Sequence, residues 1–446
     1  MPNKNKKNEL IQSVKGMQDI LPEEFAFRRK ILEKAKNIAE YYGFQPIHTP
    51  YLEKMALFTT TLGESTDIVE KQMYALHTRG GDKLVLRPEG TAPTVRAYFE
   101  HGMHTRPQPV MLYYDGFFFR HESPQKGRRR ELQQFGMEIL GENDSITDAL
   151  IIKTTLAILE EIGLKSLKVH INSIGDNECR KVYHKELTTY YRKKINNLCA
   201  DCKRRLKINP LRLLDCKEES CREIKKEAPQ MLKYLCEQCS THFKNLLEIL
   251  DASNITYYID HHLVRGLDYY SRTVFEVFLD EETQKVSEDP KTDSKTNENE
   301  FKSLALAGGG RYDSLAKLLG GKDVPAIGCA IGIDRVTEIM REKHSLASHE
   351  KQADVFFIQI GQMAKQKSLS VIEILRKAKI SISHSLSKDG LKNQLALAAK
   401  LRNPYALIFG QKEAIDNTII ARDMRLGSQE TVPLIKIAEY IKKKLA

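Results

Sequence analysis

No apolar run in this chain reaches the roughly 18–20 residues that a membrane-spanning helix needs, so a transmembrane protein is not expected. The first ten residues, MPNKNKKNEL, are basic, yet no apolar segment with a small-residue cleavage site follows them. A secretory signal is excluded on that reading, and the expected compartment is the cytoplasm. No stretch repeats at a fixed period. Two common nucleotide signatures are missing as well. Gly308-Gly309-Gly310 lacks the Lys-Ser/Thr ending of a P-loop, and GCAIGIDR from Gly328 to Arg335 fails the dinucleotide fingerprint. Acidic charge is the scarcer sign: 59 Asp and Glu stand against 70 Lys and Arg, a formal net charge of +11. That excess suits an anionic partner such as nucleic acid, because neutralised phosphates release condensed counterions.

What is present is ordinary for a globular protein. Hydrophobic residues make up 41% and charged residues 29% of 446, a length that suits two or three domains. Pro22-Glu23-Glu24 predicts a helix start, with acidic residues where the dipole favours them. Phe27, Ile31, Ala35, Ile38 and Tyr42 then share one helical face, and Gly43 ends it. From Lys83 to Gly141 the pattern predicts short strands and loops. A helix follows from Thr147 and stops at Gly163. Residues from about 176 to 250 turn Lys-rich, Cys-rich and helical, and read as an insertion. Residues 281–300 hold one apolar residue, Val286, which predicts a mobile surface loop. After a polar linker at 341–352, strands and helices alternate from 353 to 446, the pattern of a small α/β domain.

Chemistry-bearing residues fall in four blocks: Leu86–Pro93, Phe117–Ile139, His261–Val277, and Ala307–Leu315 with Ala326–Val336. Arg87, Arg120, Arg265 and Arg335 each adjoin an apolar, strand-like run. A buried guanidinium needs an anionic partner, and for any single arginine an internal Glu or Asp suffices. Four such positions beside glycine-rich segments point instead to a polyphosphate, whose oxygens match the guanidinium fork.

These blocks resemble class II aminoacyl-tRNA synthetases, and within them the histidyl-tRNA synthetases. LRPEGT with FRHE…PQKG…QFG is similar to motif 2, GCAIGIDR to motif 3, and Pro50 to the proline of motif 1. LVRGLDYYSRTVFE and AGGGRYDSL resemble two signatures of the histidine enzymes, and SVKGMQDILPEE matches their opening. The resemblance covers nearly the whole chain. It implies an α+β fold: a catalytic domain over 1–345, built on an antiparallel sheet and broken by the helical insertion, plus a C-terminal α/β anticodon-binding domain at 353–446. The implied activity is histidine–tRNA ligation. ATP activates L-histidine to the adenylate, pyrophosphate leaves with Mg²⁺, and the histidyl group passes to the 3′ end of its tRNA. Implied catalytic residues are Arg120, Arg265 and Arg335, with Arg128 joining them on ATP. Glu89, Thr91 and Gln134 are implied at the amino-acid backbone, with Arg120 and Arg265 nearby, and Glu138, Tyr269, Tyr270 and Tyr312 at the side chain. Imidazole presents two nitrogens, and a pocket that pairs both rejects apolar analogues by roughly 10⁴–10⁵ without editing. Motif 1 implies a homodimer.

Some residues depart from the family pattern. Ser123, Arg129, Glu131 and Leu132 replace the usual motif 2 loop residues, while Lys126, Arg128 and Arg130 keep phosphate-binding charge. Asp334 stands where relatives often have Glu, which leaves metal or ATP contact open with a shorter reach. Of 8 cysteines, Cys199 and Cys202 form one CxxC pair and Cys236 and Cys239 another. That spacing suggests a zinc site of these four; reduced cysteines in a small helical domain are the other reading. The functional alternative is a non-catalytic relative, the regulatory subunit of ATP phosphoribosyltransferase. It usually lacks the C-terminal domain and intact catalytic signatures, both of which this chain carries. A synthetase-like RNA-binding or stress-sensing module is a second alternative.

Overall fold

The computed structural model describes residues 10–63, 66, 68–123, 127–280, 305–343, 353–386 and 390–445. The expected loop at 281–300, Lys126, and residues 344–352 of the linker lie outside the described residues. The chain forms two compact units, Met1–Ser345 and Leu346–Ala446.

In the first unit, α1 (Pro22–Tyr41) begins on Pro22 and buries Ile31, Ala35 and Ala39. Phe27, Ile38 and Tyr42 pack beside them on the same core, and Gly43 reverses the chain at φ +91°. There follow β1 (Gln45–Pro46), β2 (Leu52–Lys54), α2 (Met55–Leu62), β3 (Tyr74–His77) and β4 (Lys83–Leu86). β2, β4 and β3 make a small antiparallel sheet. The expectation of strands and loops alone between Lys83 and Gly141 is corrected here, because Thr91–Glu100 is a helix, α3. Its first turn hides the signal: Pro93 is tolerated where amides lack intrahelical partners. The Glu89 carboxylate caps that turn, accepting from the backbone N–H of Thr91 at 2.6 Å and of Ala92 at 2.9 Å.

The large sheet is built mainly from β5 (Val110–Phe119), β6 (Glu131–Leu140), β7 (Leu167–Ser173), β8 (Tyr257–Ile259), β9 (Ser271–Leu279), β10 (Ala307–Arg311) and β11 (Ala326–Gly332). With β1 it runs β1-β5-β6-β11-β10-β9-β7-β8, antiparallel except at its two edges. Side chains alternate faces along each strand. One face carries Phe135, Met137, Ile139, Ile327, Cys329, Ile331, Phe275 and Val277 into the main core. There α1, α4 (Ser145–Ile162) and the helix Ile333–Lys343 cover it. Gly163 stops α4 at φ +111°. The other face is lined by small residues and forms the floor of the site described below.

Between β7 and β8 the chain is helical: α5 (Asn177–Lys193), α6 (Ala200–Ile208), α7 (Glu219–Lys226) and α8 (Glu237–Ala252). Residues from Cys179 to Cys239 share an apolar core of their own, whereas Phe243, Leu246 and Leu250 of α8 return to the main one.

The second unit holds a five-stranded sheet: β12 (Val355–Gln359), β13 (Ile382–His384), β14 (Tyr405–Phe409), β15 (Thr418–Asp423) and β16 (Gln429–Pro433), in the order β13-β12-β14-β15-β16. β12 pairs in parallel with β13 and β14, and the last three strands are antiparallel. Helices Gln362–Lys377 and Ile437–Leu445 bury Val371, Leu375, Ile437 and Ile441 against it.

Candidate active site

The register of the large sheet gathers its smallest residues on one face. Gly116 pairs with Gln134, Tyr114 with Gly136, Glu138 with Gly328, Gly136 with Ala330, and Gly308 with both Ala330 and Glu276. A strip of glycine and alanine therefore runs between two polar ends, and above it lies a cavity of about 540 Å³. Two of these glycines cannot be replaced without moving a functional group. A Cβ on Gly328 would sit 1.6 Å from the Glu138 carboxylate, and one on Gly308 would sit 2.5 Å from the Arg265 guanidinium.

At one end Glu138 is fully buried. Its Oε1 accepts from the hydroxyls of Thr91 at 2.8 Å and Tyr114 at 3.1 Å, and its Oε2 accepts from Tyr312 at 2.5 Å. Burial pushes the Glu138 carboxyl up to about 8, although the hydroxyls of Tyr312 and Thr91 pull it back. Tyr269 and Tyr270 close this end with ring centroids 4.7 Å apart, and Tyr312 meets Tyr269 edge-on at 5.7 Å. Thr91, Tyr114, Tyr269 and Tyr270 line the cavity; Glu138 and Tyr312 lie just behind them. Glu89, 3% exposed, lines it too, and burial raises its carboxyl against the pull of its two amide donors.

The other end is cationic. Arg120, Arg128, Arg265 and Arg335 all line the cavity, as does Gln134. Arg120 leaves the end of β5 and donates to the Pro88 carbonyl at 2.9 Å. Arg335 donates to the carbonyls of Ala305 at 2.5 Å and Gly127 at 3.3 Å, so neither partner cancels its charge. Burial lowers the proton affinity of Arg335, and repulsion from Arg128 and Arg120 lowers it further. An anion placed among these guanidinium groups would offset their crowding. Arg265 is ion-paired with Glu276, while its Nε is buried with no hydrogen-bond partner among the described residues.

The structure brings together eleven of the expected residues and removes others. Arg87 does not reach the cavity. It is 1% exposed, donates to the Thr49 backbone and hydroxyl at 2.8 Å each, and lies between the rings of Tyr51 and Phe118. Its position is structural, contrary to its grouping with the phosphate-binding arginines. Arg130 also turns away, onto the carbonyls of Glu122 and Lys15. Asp334 borders the cavity but is committed elsewhere: Arg28 pairs with it at 2.8 Å, and the Gln133 amide donates to it at 2.6 Å. The expected zinc ligands separate into two sets. Cys199 and Cys202 join Cys216 and Cys221, whereas Cys236 and Cys239 join Asp176 and Cys179. The helical fold between the pairs carries them to different places, which spacing alone does not encode.

Sequence reasoning missed Tyr114, Glu276 and the contribution of the insertion. Arg212, Asp215 and Lys217 line the cavity, and Arg212 donates to the Gly266 carbonyl at 2.9 Å. Asn209 donates to Asp268 at 2.9 Å, which ties the same segment to the loop before Tyr269. A charged residue within the apolar run TVFEVFL was the one available signal for Glu276.

Comparison with known proteins fits this geometry. The family model described as histidyl-tRNA synthetase matches residues 16–289, and that described as anticodon binding domain matches 354–444. The chain is 39% identical to the histidine–tRNA ligase of Natranaerobius thermophilus over 97% of this chain and 99% of that one. It is 40% identical to that of Dehalococcoides mccartyi, over 98% of this chain and all of the relative. Among solved structures, apo S. aureus histidyl-tRNA synthetase superposes with a TM-score of 0.76 at 32% identity, covering 97% of this chain and 100% of that chain. A Bacillus halodurans protein described as an ATP phosphoribosyltransferase regulatory subunit/histidyl-tRNA synthetase shares the fold at 21% identity and a TM-score of 0.60, over 91% of this chain and 99% of that one.

Proposed function

The chain belongs to the histidyl-tRNA synthetase family, and on that premise we propose how its cavity activates histidine and delivers it to tRNA. It is a class II histidine–tRNA ligase, and ATP is its substrate. The observation that carries the assignment of roles is the polarity of the cavity along β11. Gly328, at the buried Glu138, and Gly332, beside Arg335, are four residues apart. At the rise of a strand that spans on the order of 13 Å, enough for an amino acid at one end and a triphosphate at the other.

Histidine enters with its imidazole toward Glu138, Tyr269, Tyr270 and Tyr312, and its ammonium toward Glu89, Thr91 and Gln134. Its carboxylate then meets the α-phosphorus of ATP between Arg120 and Arg265. One carboxylate oxygen bonds to phosphorus, the bond to the β-phosphate bridge breaks, and pyrophosphate leaves. Arg120 and Arg265 neutralise the charge gathered at the α-phosphorus, and Arg128 and Arg335 hold the departing phosphates. In the second step the terminal ribose hydroxyl of the tRNA attacks the adenylate carbonyl, and AMP leaves. ATP arrives as its Mg²⁺ complex. Glu89, Glu122, Glu276 and Asp334 are each already engaged by amides or arginines. A Mg²⁺ ion brought with ATP would supply positive charge at the phosphates without displacing these pairs.

The second unit, similar to anticodon-binding domains, reads the tRNA. The chain functions in the cytoplasm as a homodimer. Its dimer face lies around motif 1, where Tyr51, Leu52 and Leu76 expose apolar surface. The regulatory-subunit alternative has behind it a likeness of fold at 21% identity, and the intact arginine set favours the ligase.

Exchange of labelled pyrophosphate into ATP, without tRNA, tests the adenylation roles. Histidine alone among the amino acids should support exchange, and Arg265→Ala should abolish it while circular dichroism stays unchanged. Exchange that survives in the variant refutes the role given to Arg265, and a wild type inert with every amino acid refutes the ligase.

A further inference from the structure

We propose that Cys199, Cys202, Cys216 and Cys221 form a tetrathiolate site for one zinc ion, which fixes the wall that the insertion contributes to the cavity. The four sulfurs lie within 4.8 Å of one another although the residues come from different elements. Cys199 and Cys202 open α6, Cys216 follows a 3-10 turn, and Cys221 lies in α7. The Sγ atoms of Cys199 and Cys216 are 3.9 Å apart. A tetrahedral ion with Zn–S bonds of about 2.3 Å sets its sulfurs roughly 3.8 Å apart, whereas a disulfide draws two of them to about 2.05 Å. All four are unbonded to one another, and three are buried.

The surrounding backbone suits thiolates. The amide of Cys202 donates to the sulfur of Cys199, and the amide of Cys199 to that of Cys221, both at 3.4 Å. Cys199 also caps the N-terminus of α6, where the helix dipole favours a negative sulfur. Such donors have a purpose when a cation holds the thiols deprotonated. A single free cysteine packs well as a small apolar group, so burial alone would say nothing. The convergence of four on one point, at spacings of two, thirteen and four intervening residues, is what selects a soft divalent ion.

The second set, Asp176, Cys179, Cys236 and Cys239, differs in kind. Asp176 already caps α5 through the Cys179 amide at 2.9 Å and accepts from the Cys236 thiol at 3.6 Å. Its carboxylate is already satisfied by an amide and a thiol of the set, which makes it an internal control.

The site has a consequence for the cavity. Between its second and third ligands lie Asn209, which holds Asp268, and Arg212, which holds the Gly266 carbonyl. Asp215, beside the ligand Cys216, lines the cavity itself. An ion clamping this segment at both ends fixes those contacts. That effect on catalysis rests on the ligase reading, but the presence of the ion does not.

The experiment is zinc analysis of the full chain purified without chelator, for wild type, Cys236→Ser, and the double variant Cys216→Ser with Cys221→Ser. Roughly one zinc per chain is expected in wild type and Cys236→Ser, falling at least about tenfold in the double variant. Wild type grown on Co²⁺ should show the visible bands of tetrahedral thiolate cobalt, a readout that stands even if the double variant fails to fold. Zinc-free wild type, zinc retained by the double variant, or disulfides among the four cysteines in the native protein would each overturn the site. Hydrogen exchange at residues 209–217 should rise when a mercurial strips the ion; unchanged exchange refutes the clamp.

Discussion

Replacing Glu138 by Gln isolates one buried proton. The carboxyl stands at about 8 in the folded protein, against an ordinary 4.5, chiefly because burial penalises the charged form. At pH 7 roughly nine in ten empty pockets therefore hold it protonated. The sign of the linkage follows. Between pH 4.5 and 8 the unfolded chain has lost this proton while the folded chain keeps it. Stability from the group is fully present below pH 4.5 and is lost as pH rises toward 8. The slope is about 1.4 kcal/mol per pH unit, so from pH 5 to 7.5 the wild type loses roughly 3 kcal/mol at this site. Gln has the size of the protonated acid and does not titrate. Urea denaturation of both proteins, followed by circular dichroism across that range, gives the difference in stability, from which all other groups cancel. Wild type should lose about 3 kcal/mol relative to Glu138→Gln on going from pH 5 to 7.5. A difference flat to within about 0.5 kcal/mol would show that the carboxyl ionises normally in its nest of hydroxyls, and the reasoning would fail.

Two further outcomes follow from packing. Arg311→Leu removes the cation that pairs with fully buried Asp148 at 2.7 Å, leaving that carboxylate to His242 and Thr273; a loss of about 3–5 kcal/mol is expected in the same assay, and less than about 1 would refute the ion pair's role. Leu52→Asp with Leu76→Asp places charge on the exposed apolar face near motif 1, and light scattering should read a monomer where wild type reads a dimer; a monomeric wild type refutes the assembly.

Much of the fold was legible because periodicity and punctuation agreed. Pro22 and Gly43 bracket α1, and Gly163 stops α4, each at a backbone geometry its residue type favours. The second unit was readable strand by strand until its end, where QETVP, with one buried residue, carries too little apolar pattern to announce β16. α3 was missed for a different reason. Its start is signalled not by a Ser or Asp at the cap but by Glu89, one residue earlier, whose carboxylate folds back onto two amides. Capping of that kind is visible only when the turn is seen.

The site shows where local sequence stops being informative. Arg87 and Arg120 each follow a short apolar run, Leu84–Leu86 and Phe117–Phe119, and neither composition nor spacing separates them. The sheet does. Arg87 leaves β4 into a cage of Tyr51, Phe118 and the Thr49 backbone, where every polar hydrogen bond it makes is to a neutral group. Arg120 leaves β5 over the glycine strip and faces other arginines. At Arg87 neutral oxygens and two aromatic faces take the place of the anion expected for a buried guanidinium. Crowding several of them round an open floor has no such solution, since each raises the cost of the next. The strip itself is a product of register: Gly308, Gly328 and Gly136 come from three strands and meet through pairing alone. The signature that names a chemistry in this chain is therefore not any one arginine but the coincidence of crowded cations with missing side chains, which three-dimensional pairing creates.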